Sequence, residues 1–191
     1  ISSGLVEISG CSNTRDASIS GEKSGGICGS SAGKTSGQVL IDTCYNEGVI
    51  SGQYAGGICA VQFRNGTITY CWNIGELTGE GSGGICGSRV SHTDNNSNSN
   101  TVVISYCYNK GRISSIKSGG ICGLYAGSNG GTVTIFNCYN YADGTVDISN
   151  QGGITGTGAG GYYSDGIPGT AYIYNCWSKG DNLKNGIVAG A

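Results

Sequence analysis

The word Ser-Gly-Gly-Ile-Cys-Gly stands at Ser24–Gly29 and recurs unchanged at Ser82–Gly87 and Ser118–Gly123. Close variants occupy Ala55–Ala60, Gln151–Gly156 and Asn185–Gly190. A second word alternates with the first: Cys11-Ser12-Asn13, Cys44-Tyr45-Asn46, Cys71-Trp72-Asn73, Cys107-Tyr108-Asn109, Cys138-Tyr139-Asn140 and Cys176-Trp177-Ser178. Its cysteines are 33, 27, 36, 31 and 38 residues apart, averaging 33. Recurrence at this length marks a fold built of stacked units, none of which can bury its apolar face alone.

Each unit reads as β structure. Three residues before each cysteine of the second word stands Ile8, Ile41, Ile68, Ile104, Ile135 or Ile173, and five before it Val6, Val39, Gly66, Val102, Val133 or Ala171. Apolar residues two apart are the period of a strand with one buried face. A bend follows, typically with glycine four residues after the cysteine (Gly48, Gly75, Gly111, Gly180). Then comes an apolar–hydroxyl pair, Ile19-Ser20, Ile50-Ser51, Leu77-Thr78, Ile113-Ser114 or Ile148-Ser149, and last the glycine word. No window carries the 3.6-residue apolar period of a helix, and glycine interrupts every candidate. The expected fold is all-β: a parallel β-solenoid (β-helix) of about six coils, three short strands per coil, roughly 24 Å from first to last strand at the usual strand spacing. It is expected to be a single domain over residues 1–191 and part of a longer chain. No polar capping element is recognisable at either end, so neighbouring domains or end-to-end stacking of copies is expected to cover them.

Unit length varies mainly after the glycine word, in the polar run Ser91–Asn100 and in Thr157–Thr170. Both are expected to leave the body on one edge, where insertions do not disturb the ladder. In the glycine word the small residues permit tight bends and close approach, while Ile and Cys face a narrow core. The core column Cys28, Cys59, Cys86 and Cys122 continues as Thr155 and Val188, side chains of similar size.

All ten cysteines fall in the two words. One reading is a disulfide framework, Cys11–Cys28, Cys44–Cys59, Cys71–Cys86, Cys107–Cys122 and Cys138–Cys176. The other is two ladders of buried free thiols acting as small hydrophobes. The ladders are favoured, because Thr155 and Val188 replace one partner while Cys138 and Cys176 persist. Zinc is not expected: no C-x₂₋₄-C pair exists, and the sole histidine, His92, sits in a polar run.

Catalytic motifs are weak. Gly29–Gly33 (GSSAG) spells a nucleophile elbow around Ser31, but no strand-to-helix turn is expected there and only His92 could act as base. The string around Lys34-Thr35 lacks the first glycine of a phosphate loop, since position 28 is Cys28. Gly156–Gly161 matches G-x-G-x-x-G by letter only. Acidic residues scatter over different columns: Asp42 is followed by Thr69, Ser105, Phe136 and Tyr174. No paired-carboxylate site is expected. The sequons at Asn65 and Asn95 are read as chance in a chain this rich in Asn, Ser and Thr.

Composition narrows the partners. Charged residues make up 12 % of the chain and the net charge is −2, which leaves no basic patch for nucleic acid. No apolar run reaches the length of a membrane-spanning helix. Aromatics offer a candidate binding stripe, Tyr45, Trp72, Tyr108, Tyr139 and Trp177, with Tyr70, Tyr106, Phe136, Tyr172 and Tyr174 on the preceding strand. Such a stripe either binds a glycan or a partner protein or simply covers a bend, and the covering role is favoured. The hydroxyl column Ser20, Ser51, Thr78, Ser114 and Ser149 is the one feature pointing to an ice-binding face.

Ala55–Cys59 (AGGIC), Ile135–Asn140 (IFNCYN) and Gly48–Gly52 (GVISG) resemble the GLUG-motif repeats of bacterial surface proteins, including those beside some immunoglobulin A peptidase domains. The resemblance spans almost the whole chain and departs from the family in having Cys where Val is common. It implies an extracellular or cell-surface β-solenoid serving as stalk or adhesive surface, without catalytic residues. The expected function is therefore a noncatalytic structural or adhesive module without cofactor, with a glycan, a cell-surface protein or another copy as partner. An ice-binding solenoid and a polysaccharide-processing β-helix are the alternatives.

Overall fold

The computed structural model describes residues 4–34, 37–93, 100–142, 151–161 and 167–179, and no helix occurs among them. Twelve strands run in order: β1 (Leu5–Ser9), β2 (Ser12–Asn13), β3 (Gln38–Asp42), β4 (Tyr45–Asn46), β5 (Gly66–Thr69), β6 (Trp72–Asn73), β7 (Thr101–Ser105), β8 (Tyr108–Asn109), β9 (Thr132–Phe136), β10 (Tyr139–Tyr141), β11 (Thr170–Tyr174) and β12 (Trp177–Lys179). The odd-numbered strands form one six-stranded parallel sheet and the even-numbered strands a second, each stacked in chain order. Ile8 pairs with Ile41, then Ile68, Ile104, Ile135 and Ile173 in unbroken register.

Ile41, Ile68, Ile104 and Ile135 are buried together with Cys59, Cys86 and Cys122, and Cys28 lies at the border of the same core. Ile8 and Ile173 pack against this core while only partly buried, because among the described residues each end strand has a neighbour on one side only. The column five before the cysteine is interrupted by Gly66. There the Phe63 ring fills the space, and a side chain on Gly66 would run into the Val39 carbonyl. Ile19, Ile50, Leu77 and Ile113 form a second, smaller core.

The third expected strand is absent from every described copy. In its place stand single-residue parallel bridges: Ile19–Ile50–Leu77–Ile113, Gly25–Gly56–Gly83–Gly119–Gly152, and Cys28–Cys59–Cys86–Cys122–Thr155. The chain bends between these positions, so one residue at a time aligns with its neighbour. A Cβ on Gly56 or Gly83 would strike the carbonyl three residues on, and one on Gly57 or Gly84 would strike the carbonyl of the adjacent glycine word. Close approach between copies is what the doubled glycine permits.

The corner between the two sheets is set by residues in the left-handed region: Thr43, Tyr70, Tyr106, Asn137 and Asn175, with φ from 51° to 54°. That conformation is unfavourable by about 1–2 kcal/mol for ordinary L-residues. Here it turns the chain within two residues, and the corner amides still pair: Tyr70 N–H donates to the Ser105 carbonyl at 3.3 Å and Thr43 N–H to that of Thr69 at 3.1 Å.

Candidate functional site

One residue past this corner the first cysteine column points inward, and each thiol donates to the carbonyl two residues back. The distances are 3.2 Å for Cys44, 3.1 Å for Cys71, 3.2 Å for Cys107, and 3.3 Å for Cys138 and Cys176. Valine or threonine cannot place an S–H donor there. The second column, Cys28, Cys59, Cys86 and Cys122, stacks sulfur on sulfur, and Thr155 continues it with a buried hydroxyl that finds no partner. That contrast explains why substitution falls in the second column alone. All ten cysteines stand as thiols, with no disulfide framework. Burial pushes the Cys59, Cys86 and Cys122 thiols well above their ordinary value and raises Cys44 to about 11, while the hydrogen bond from Cys59 holds Cys28 below it.

The asparagine of the Cys-aromatic-Asn word carries a role that the sequence reading missed. Asn46 donates its amide to Asn73 Oδ1 at 2.6 Å, Asn73 to Asn109 at 2.7 Å, and Asn109 to Asn140 at 2.7 Å. Asn13 begins the chain at 2.6 Å and Ser178 ends it at 3.2 Å. Asn46, Asn73 and Asn109 also donate to the carbonyl two residues on, at Gly48, Gly75 and Gly111. All four interior asparagines are fully buried. Aligned amides polarise one another and hold the copies in register. The legible signal was asparagine at one offset in five of the six copies.

The candidate stripe is a continuous ring stack. Tyr45 and Trp72 have centroids 4.8 Å apart, Trp72 and Tyr108 5.9 Å, Tyr108 and Tyr139 4.9 Å, and Tyr139 and Trp177 4.9 Å, all within 8° of parallel. Each interior ring therefore has both faces covered by its neighbours, and outward it offers edges and phenol hydroxyls. A sugar that stacks on a ring needs an open face, which this column does not supply between its ends. Tyr70 and Tyr106 lie not on the preceding strand but at the corner one residue past it, where they stack at 5.1 Å, while Phe136 and Tyr174, the last residues of β9 and β11, stack at 5.3 Å. Tyr172 is 57 % exposed and has no ring partner among the described residues.

The hydroxyl column is partly spent on the chain itself. Ser114 Oγ donates to Glu76 at 2.9 Å, and Thr78 reaches the Ile50 carbonyl at 3.5 Å; Ser149 lies outside the described residues, as do Val188 and the Asn95 sequon. His92, placed in a polar loop by the sequence reading, is buried instead, with Nδ1 3.2 Å from Ser128 Oγ, because Asn100 and Ser91 fold back over it. Ser31 Oγ pairs with Gln62 at 3.4 Å, so the two residues of the weak nucleophile reading are not partners. Asn65 Nδ2 is engaged by the Gly33 carbonyl at 3.1 Å and Asn100 Oδ1 at 3.2 Å, which removes it from the surface chemistry a sequon needs. Asp42 accepts from Thr43 at 2.6 Å and Thr69 at 2.7 Å, and these hydroxyls hold its carboxyl below the usual range.

The outer face of the odd-numbered sheet carries a concavity. Gln38, Asn65, Gly66, Thr67, Thr101 and Val103 line a half-open cavity of about 410 Å³. Among the described residues no cluster of three or more His, Cys, Asp or Glu is arranged to hold a metal ion. No family model, curated protein or solved structure matches this chain.

Proposed function

We propose that the chain is a noncatalytic structural and adhesive module, wound as a parallel β-solenoid of about six coils, in a secreted or cell-surface protein. The observation that carries this reading is the asparagine ladder with its two sheets: successive copies from Asn13 to Asn140 spend a buried or half-buried amide on holding the next copy. None of these groups is left aimed into a cleft for chemistry. Eight of the ten thiols are buried, and His92 packs against the next copy through Ser128. A rigid, weakly charged rod with hydroxyl and aromatic columns outside suits display and contact. The resemblance to GLUG-motif repeats points the same way, and it is the basis for placing the protein outside the cell.

The test is surface binding and turnover on one preparation. The module coated on a surface is expected to retain cells or extracellular matrix material, with no hydrolysis or elimination of pectin, alginate or host glycans. Polymer cleavage that survives repurification would overturn the noncatalytic reading. Failure to retain any cell, matrix or glycan would remove adhesion and leave a spacer.

A further inference from the structure

The outer face of the odd-numbered sheet is rich in threonine. Its outward columns read Leu5, Gln38, Thr101, Thr132 and Thr170 in one, and Glu7, Leu40, Thr67, Val103, Thr134 and Tyr172 in the next. From β5 to β11 neither column contains a charged residue. The cavity of about 410 Å³ lies at the start of this face. Its origin is visible in the ladder: β5 begins at Gly66, so the place between Gln38 and Thr101 falls to Asn65. The Asn65 side chain is drawn along the sheet edge, donating to Gly33 and Asn100 and accepting the Thr101 N–H at 3.0 Å. A dent is left where neighbouring strands present side chains. This unit is also the shortest of the set, 27 residues from Cys44 to Cys71.

We infer that this dent and the face beyond it bind a neutral, linear oligosaccharide. The volume falls in the range of small-ligand sites. The lining supplies what a sugar ring recognises: the Gln38 amide and the Thr67 and Thr101 hydroxyls, none of which has a side-chain partner among the described residues, and the Val103 methyls for its C–H face. An anionic ligand would lack a cation here, and a metal ion would lack carboxylates. Tyr172 supplies the open ring that the stacked column denies, at 57 % exposure. It lies three strand spacings from Thr67 in the same column, roughly 14 Å along the stacking direction. That is the reach of a short oligosaccharide laid across the strands, with its first ring in the dent and a later ring on Tyr172. Thr134 stands between them.

This inference rests on the reading of the chain as an adhesive module, and its test separates the two. Cellohexaose, laminarihexaose, mannohexaose and xylohexaose are titrated at millimolar concentration into the ¹⁵N-labelled chain. At least one is expected to shift the amides of Gly66, Thr67, Thr101, Val103 and Tyr172. Thr67→Val and Thr101→Val keep shape and strand preference while removing a hydroxyl, and each is expected to weaken that sugar about five- to tenfold. Tyr172→Ala is expected to weaken it about tenfold. Shifts confined to the Tyr45–Trp177 column, or affinity unchanged in all three variants, would overturn the site and leave adhesion standing. Silence towards all four sugars would also overturn it, while surface retention of cells still decides the adhesive reading. Retention lost while the sugar still binds would overturn adhesion alone.

Discussion

Asn73 donates its side-chain amide to Asn109 across two adjacent strands at 2.7 Å, and neither side chain is exposed to water. Asn109 in turn donates to Asn140 and to the Gly111 carbonyl and accepts the Gly111 N–H at 3.1 Å. A single interior asparagine thus satisfies groups in three consecutive copies.

Asn109→Ala is expected to destabilise the fold by about 3 kcal/mol or more, since Asn140 loses its donor and Asn73 one acceptor in a dry interior. Asn109→Asp keeps the acceptors but places a charge there. Burial raises the folded carboxyl pKa above its unfolded value, so the deficit of this variant shrinks as pH falls and grows as it rises. Urea unfolding of both variants at pH 7 and pH 4 checks the sign. Equal deficits for Asp at both values would mean that the ladder position is wet.

The glycine word separates positions that need glycine from one that does not. Gly84→Ala sets a methyl against the Gly120 carbonyl and the Asn109 side chain, and is expected to cost about 3 kcal/mol or to prevent folding. Gly29→Ala meets nothing within 4 Å and is expected to be neutral or to stabilise by about 0.5 kcal/mol through the unfolded chain. Thermal melts of the pair read the contrast directly.

Thr155 occupies the second cysteine column with a hydroxyl that has no partner and no exposure. Thr155→Val removes an unsatisfied buried group at nearly constant volume and is expected to stabilise by about 1–2 kcal/mol. Chemical denaturation measures the gain. A loss would show that the hydroxyl is hydrated in the folded state.

The thiol ladders make stability fall in alkali. Cys44, Cys59, Cys86 and Cys122 have folded pKa values raised by burial, so the folded chain keeps protons that the unfolded chain releases above about pH 8.5. The contribution of these four thiols is whole below that value and declines above it, by about 1.4 kcal/mol per pH unit for each that stays protonated. The lowered Cys28, Cys71 and Cys138 thiols instead lose their contribution as pH falls below that value. Unfolding midpoints between pH 7 and pH 10 are expected to drop steeply, and a denaturing thiol titration without reductant is expected to find close to ten thiols. A flat profile together with a low count would restore the disulfide framework.

Recurrence at fixed offsets was enough to name the inward residues. Ile41, Ile68, Ile104 and Ile135 sit in one register because each copy places an apolar side chain at the same step along a strand, and parallel stacking aligns equal steps. Thr155 in place of a second-column cysteine while Cys138 persists likewise anticipated the ladders. The sequence did not separate a strand from a single bridge, because that depends on how sharply the backbone bends at Gly56 and Gly57 against the copy beside it.

Four matters depended on contacts between copies, which no single copy encodes. They are the covered faces of the Tyr45–Trp177 rings, the amide chain through Asn73, the burial of His92, and the dent beside Asn65. The physical reason is common to them: periodicity fixes which face a side chain takes, whereas loop length and the neighbouring copy decide what covers it.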